Sequence, residues 1–306
     1  MNRAKTKKKP VNKCRIAFIL CCCTIPVIQW LIFYVYANAS AFTMAFTTKD
    51  GALTFEHFVR FWKEINNPAS DIRIAIRNTF LTFGIIFVTF PFKVLVSYFI
   101  YKKVPGAPVF RILFFLPSII FGVALAMIFQ KMVGVNGFIA QSVQNFLNLD
   151  QVPELLADSR FANTTVLLHM VWLQFPGDLI IWGGTFARIP EDVLESARID
   201  GINWWQEFTK ITIPLVWPTV ALQMVLMFCG IFSASGAVFL LTKGQYGTMT
   251  LDCWMYLQLY DISGSQGASN AYNYMSAVGL ILTTIAITIS LLIRKWSDNV
   301  IEEVEF

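Results

Sequence analysis

Glu195, Asp200 and Gly201 stand in a polar stretch that interrupts an otherwise apolar chain. A carboxylate that is to be buried against a partner needs a cation there, and the planar fork of an arginine suits it best. Lys93 and Asp178 pose a related question, since each lies within a long apolar run, where an ionised side chain is costly and usually functional. His169, Gln174, Gln223 and Asn273 also fall within or at the edge of such runs. They could line a path for a polar solute or bond one helix to another. No nucleophile stands beside a base in the sequence. No His/Cys/Asp/Glu cluster has metal-ligand spacing, and no glycine-rich Lys-Ser/Thr loop is present to cradle nucleotide phosphates. The chemistry on offer is that of ion pairs and hydrogen bonds.

The elements that must position these groups are long and apolar. Of 306 residues, 56% are hydrophobic and 14% charged, and the mean hydropathy is +0.58. A soluble domain carries about 25% charged residues, so this composition argues against a soluble enzyme, a disordered chain and a nucleic-acid binder. A helix needs about 20 apolar residues to cross a bilayer. Six runs qualify: Ile16–Tyr36, Asn78–Ile100, Arg111–Gln130, Thr164–Phe186, Thr219–Leu241 and Tyr272–Ile293. They predict an all-α membrane protein with six transmembrane helices. Pro26, Pro91, Pro117 and Pro176 interrupt four of them. Inside a bundle, neighbouring groups satisfy the freed carbonyls, so these prolines are expected to kink helices without ending them.

Lys5, Lys7, Lys8 and Lys9 precede the first run and Ala37-Asn38-Ala39 follows it, which resembles a signal peptide. The apolar core of a signal peptide spans about 7–15 residues. This run is longer, so an uncleaved first span is expected. With the N-terminus inside, fifteen lysines and arginines fall on the inner side and eight on the outer, which favours both termini in the cytoplasm. The chain then divides into a basic tail (1–15), a six-span domain (16–295) and a C-terminal tail (296–306). The net charge of +5 reads as an orientation signal and implies no acidic ligand. Cys14, Cys21, Cys22, Cys23 and Cys229 lie in or beside spans. Cys253 is alone outside, so no disulfide within the chain is expected.

The loop between the fourth and fifth runs, residues 189–218, reads as structure. Pro190 fits the first position of a helix, and Glu191 and Asp192 suit its first turn. Gly201 can take the left-handed stop. Asn203 can cap a second short helix, with Gln206 completing a capping box. Glu195-Ser196-Ala197, Gly201 four residues on, and Ile211-Thr212-Ile213-Pro214 after nine more resemble the "EAA" signature of ATP-binding-cassette importer permeases. Ser196 and Ile213 depart from its usual Ala and Leu. Arg77-Asn78-Thr79, Phe110–Pro117, Gly134–Gly137, Ile189-Pro190-Glu191, Ile199-Asp200-Gly201 and Leu241–Gly244 extend the likeness. Within that family it is to the maltose- and glycerol-phosphate-type carbohydrate permeases, first member of a pair.

The resemblance implies an importer-type permease fold in a bacterial plasma membrane, with the 189–218 loop as a cytoplasmic coupling helix. It implies two ATP-binding subunits, a second homologous permease, an extracellular solute-binding protein and a carbohydrate substrate. ATP would be used by the partner subunits, and no cofactor or metal would be bound by this chain. Glu195, Ser196, Ala197, Asp200 and Gly201 are the residues expected to couple to the ATPase. Glu195 would bond an arginine, and Leu194 and Ala197 would pack in the ATPase cleft. Lys93 and Asp178, at similar depth, either pair or act separately, one snorkelling to the interface and the other facing an aqueous cavity. An ion-coupled secondary transporter is the reading from another class, but internal repeats are not evident. An importer for an amino acid or other non-sugar solute is the nearer alternative.

Overall fold

The computed structural model describes residues 13–48, 50–233, 236–263 and 268–300, with side chains in these ranges except at 13–20, 175–176, 261–263 and 268–270. Among the described residues there is an isolated antiparallel bridge, Thr47 to Leu53, and no strand. The first crossing is built from α1 (Lys13–Trp30), a π-helical segment (Leu31–Tyr36) and α2 (Ala37–Ala45). Its side chains from Cys21 to Ala39 are all exposed, and α2 packs along α14 (Ala268–Asp298). After the bridge comes α3 (Glu56–Asn66), at the end that the expected orientation makes the outer one, then α4 (Asp71–Tyr101). Ser70 caps α4, its Oγ accepting from the Ile72 N–H at 3.4 Å. At 1.5 Å per residue, α4 is about 46 Å long, more than one hydrocarbon thickness, and it joins the outer and inner ends of the molecule.

The third crossing is shifted toward the C-terminus, to Gly122–Leu147. α5 (Ala107–Ile119) and α6 (Gly122–Val133) are separated by Ile120 and Phe121 in extended conformation, where the sequence predicts one helix from Arg111 to Gln130. The stretch Pro-Ser-Ile-Ile before Phe121-Gly122 is rich in poor helix formers, and the apolar run continues into α7 (Phe138–Leu147). α8 (Ala162–Phe186) makes the fourth crossing, and α9 (Glu191–Ile199) follows at the opposite end, the inner one in the expected orientation. The fifth crossing is also shifted. α10 (Trp204–Gln206), a π-helical segment (Glu207–Thr212) and α11 (Ile213–Cys229) form one continuous rod, so the second short helix expected in the loop is the beginning of the span. Pro214 has no N–H to donate, and the widened π turn before it accommodates that loss. The rod stops at Gly230, ahead of a run of small residues, and α12 (Gly236–Thr242) is separate. α13 (Leu251–Ser263) and α14 complete the chain.

Six helical stretches are long and apolar enough to cross a membrane: Cys21–Ala45, Asp71–Tyr101, Gly122–Leu147, Ala162–Phe186, Trp204–Cys229 and Ala271–Asp298. Pro26 and Pro91 sit inside helices that run on past them, but α5 ends at Ile119, two residues after Pro117, so the expected run-through fails there; Pro176 lies outside the described side chains. Three apolar clusters hold these elements together. One joins α6, α7, α8 and α12 around Phe129, Val166 and Met170. Another joins α3, α4, α13 and α14 around Phe61, Trp254 and Tyr274. The third, on the inner side, gathers α4, α8, α9 and α11 around Tyr98, Trp182, Phe186 and Phe208. Cys253 is fully buried, and burial, with Asp252 beside it, pushes its thiol up to about 11.

Candidate functional site

The segment between α8 and the rod is a bracket capped at both ends of α9, and its local chemistry is legible residue by residue. Pro190 stands at the cap of α9, one place earlier than expected, and Glu191 and Asp192 occupy the first turn. At the other end Gly201 takes φ +72°, while a Cβ there would meet nothing within 4 Å. Backbone conformation, not space, therefore requires the glycine. The Gly201 N–H donates to the Arg198 carbonyl at 3.1 Å and the Ile202 N–H to the Ala197 carbonyl at 3.2 Å, a Schellman closure that satisfies the last carbonyls of α9. Asn203 then starts the next helix with a full capping box. Its Oδ1 accepts from the Gln206 N–H at 2.9 Å, and its own N–H donates to Gln206 Oε1 at 3.2 Å.

α9 has two sides. Leu194 and Ala197 are buried, Leu194 within the inner aromatic cluster. Their assignment to a partner's cleft is corrected: they seat α9 on its own chain. Only residues 187–190 separate α9 from α8, so its apolar side closes over Phe186 and Ile189. Glu195, Ser196 and Asp200 face outward. Ile199, not among the residues expected to couple, is 85% exposed and sits opposite the buried pair. Ser196 donates to the Asp192 carbonyl at 2.8 Å. Glu195 makes no ion pair among the described residues. It lines a 250 Å³ cleft with Tyr101, Lys102, Lys103, Glu191 and Arg198.

Glu207 is the buried, paired charge that sequence reasoning missed. It is 6% exposed, pairs with Lys102 and accepts a hydrogen bond from the Tyr98 hydroxyl at 3.1 Å. The base of α11 is thereby fastened to the inner end of α4. The available signal was an acid four residues before Ile211, on the face leading into the span.

Farther into the membrane, Lys93 Nζ and Asp178 Oδ2 are 2.5 Å apart. The lysine is also 3.5 Å from Gln174 Oε1. Three of the sequence-selected residues thus meet between α4 and α8. The other path candidates do not join them by a hydrogen bond among the described residues. Asn273 donates to the Thr47 carbonyl at 2.7 Å, tying α14 to the turn after the first crossing. His169 is 1% exposed, has neither ring nitrogen hydrogen-bonded among the described residues, and lies tilted against Phe129 with centroids 4.7 Å apart. Gln223 is half-buried on α11.

At the outer end of α4, Asn78 donates to the Gly247 and Met249 carbonyls at 2.7 and 2.9 Å. Thr79 Oγ1 accepts from the Leu251 N–H at 2.9 Å. These two residues hold the loop that carries the Leu-Thr-Lys-Gly segment, where Lys243, Gly244, Tyr246 and Gly247 all have positive φ.

A family model described as "Binding-protein-dependent transport system inner membrane component" matches residues 7–302. The chain is 30% identical over 210 residues to the probable ABC transporter permease protein YesP of Bacillus subtilis (strain 168), covering 68% of this chain and 66% of YesP. It is 30% identical over 190 residues to the maltose/maltodextrin transport system permease protein MalF of Vibrio cholerae serotype O1, covering 61% of this chain and 36% of MalF. The chain therefore spans just under two thirds of the one relative and about a third of the other. A bacterial ABC transporter involved in import of the acidic polysaccharide alginate contains a chain of the same fold, with a TM-score of 0.77 at 22% identity, covering 94% of this chain and 97% of that one.

Proposed function

This chain belongs to the binding-protein-dependent transport system inner membrane component family, and from that premise we propose that it is a permease subunit of an ATP-driven carbohydrate importer. It forms half of the translocation path, a second homologous permease supplies the other half, and an extracellular solute-binding protein delivers the sugar. Two ATP-binding subunits on the cytoplasmic side consume the ATP, and this chain holds no nucleotide, cofactor or metal of its own. Both termini are cytoplasmic, in a bacterial plasma membrane.

The observation that carries this reading is the construction of the bracket. α9 is seated on its inner face and leaves Glu195, with Ser196 and Ile199, free on the outer one. Its glycine stop leads through a capping box directly into α11. An ATPase cleft that closes on α9 would tilt the rod from Asn203 onward. Glu207 would carry that displacement to α4 through Lys102 and Tyr98, and Lys93 with Asp178 would keep α8 in step. Asp178, the intramembrane acid on which ion coupling would depend, is occupied by Lys93, which disfavours a secondary transporter. Gln174, Gln223 and His169 remain proposed path residues. Asn273 is the weakest of the four, because its amide is engaged.

The test is the assembled importer carrying Glu195→Ala. Uptake over a panel of sugars should fall at least tenfold while the chain still inserts, because removing one member of a buried charged pair costs about 2–5 kcal/mol. Normal sugar uptake by that variant with ATPase subunits co-purifying overturns the coupling role. Binding of non-sugar solutes alone overturns the substrate class.

A further inference from the structure

We propose that a groove between α4, α5 and α8 holds one anionic glycerophospholipid, its phosphate at Arg111 and an acyl chain along Ile112, Phe115, Ile180, Gly183 and Gly184. The groove encloses about 540 Å³ and draws its walls from all three helices. Ile112 and Ile180 are 67% and 62% exposed, so the walls are apolar and uncovered. A Cβ built on Gly183 or Gly184 would meet no atom within 4 Å. These adjacent glycines therefore bring no neighbouring helix close; they leave a trough along α8.

The mouth of the groove is cationic. The side chains of Arg111 and of Lys103, in the turn before α5, make no ion pair or hydrogen bond among the described residues, whereas the Lys102 side chain is engaged by Glu207. Tyr101 lines both this groove and the adjoining cleft beside α9. An unpaired guanidinium above an apolar trough matches a molecule with an anionic head and a hydrocarbon tail. A free phosphate would leave the trough unfilled. A basic pocket between transmembrane helices on the cytoplasmic side is the general form of a headgroup site. The inner-leaflet position rests on the proposed orientation of the chain, which the test separates from the lipid site itself.

The purified importer in detergent is titrated with phosphatidylglycerol, phosphatidylcholine and glycerol 3-phosphate, and bound molecules are counted by native mass spectrometry. Phosphatidylglycerol should be retained about fivefold over phosphatidylcholine, the preference expected from one basic residue at an anionic headgroup. Arg111→Gln should bring the ratio to about one, Arg111→Lys should largely restore it, and Gly184→Leu should remove both lipids. Equal retention of the two lipids by the native protein, or unchanged phosphatidylglycerol on Gly184→Leu, overturns the site. Glycerol 3-phosphate binding as tightly as the lipid overturns the acyl-chain part. Efficient cross-linking of Ile112→Cys to the second permease assigns the groove to a protein interface and also overturns it. Labelling of Lys103→Cys by an impermeant maleimide from outside sealed cells would refute the orientation alone, because the detergent count does not depend on it.

Discussion

α4 is fastened at its two ends by different chemistry. Its inner half carries Lys93 and Lys102, each in a mostly buried ion pair, to Asp178 on α8 and to Glu207 at the base of α11. Its outer end carries Asn78 and Thr79, which bond backbone groups of the loop at 247–251 without formal charge. The outer fastening is also spread out. Gln130 donates to the Leu240 and Leu241 carbonyls, and Thr242 and Thr248 share a hydroxyl contact at 2.6 Å. Burying ions is costly, and removing one partner leaves the other stranded, so the inner contacts behave as all-or-none couplings between helices. The outer contacts divide a similar task among several weaker bonds and hold a loop with four residues at positive φ. The inner end is thus fastened by two charged contacts, the outer end by several neutral ones.

The sharpest way to break this contrast is Glu207→Ala. It strands a Lys102 side chain that is only 18% exposed and should cost about 3–5 kcal/mol. Thermal unfolding of the assembled complex should report the loss, with uptake falling more than ATP hydrolysis. Next is the Lys93–Asp178 pair. Either single neutralisation should cost about 2–4 kcal/mol, and Lys93→Met with Asp178→Leu should recover most of it. Strictly additive losses in that double-mutant cycle would mean that the two are not coupled. Asn78→Ala, at the outer end, should cost about 1–3 kcal/mol for two stranded carbonyls. Protease nicking should then increase within 242–250, while ATP hydrolysis stays coupled to the remaining uptake. The smallest effect is expected from Asn203→Ala, about 1 kcal/mol for a lost cap, visible as a modest drop in melting temperature. If Asn78→Ala uncouples ATP hydrolysis as strongly as Glu207→Ala does, the distinction between the two ends collapses.

Much of the bracket was readable because its signals are local. A proline, two acids, a glycine stop and an Asn–Gln box act over three to five residues, and all but the proline, which stands one place early at the cap, lie where their spacing required. The six crossings were legible from hydropathy, but the breaks in the third and fifth runs were not, because an apolar run looks alike whether it is one helix or two. Ile120–Phe121 and the stop at Gly230 fall inside such runs.

By itself, then, the sequence determined that the chain is a six-span helical membrane protein and that a capped, glycine-stopped bracket with Glu195 among its residues opens the 189–218 segment, whose part from Trp204 onward is the beginning of the fifth span. Tertiary structure alone decided that Leu194 and Ala197 turn inward, that Glu207 meets Lys102 and Tyr98, and that Lys93 reaches both Asp178 and Gln174. The physical reason is helix rotation. Helices that are apolar nearly all round carry little periodic signal of which face points where, so partners some 80 or 100 positions apart are chosen only when the packed helices fix their relative azimuth.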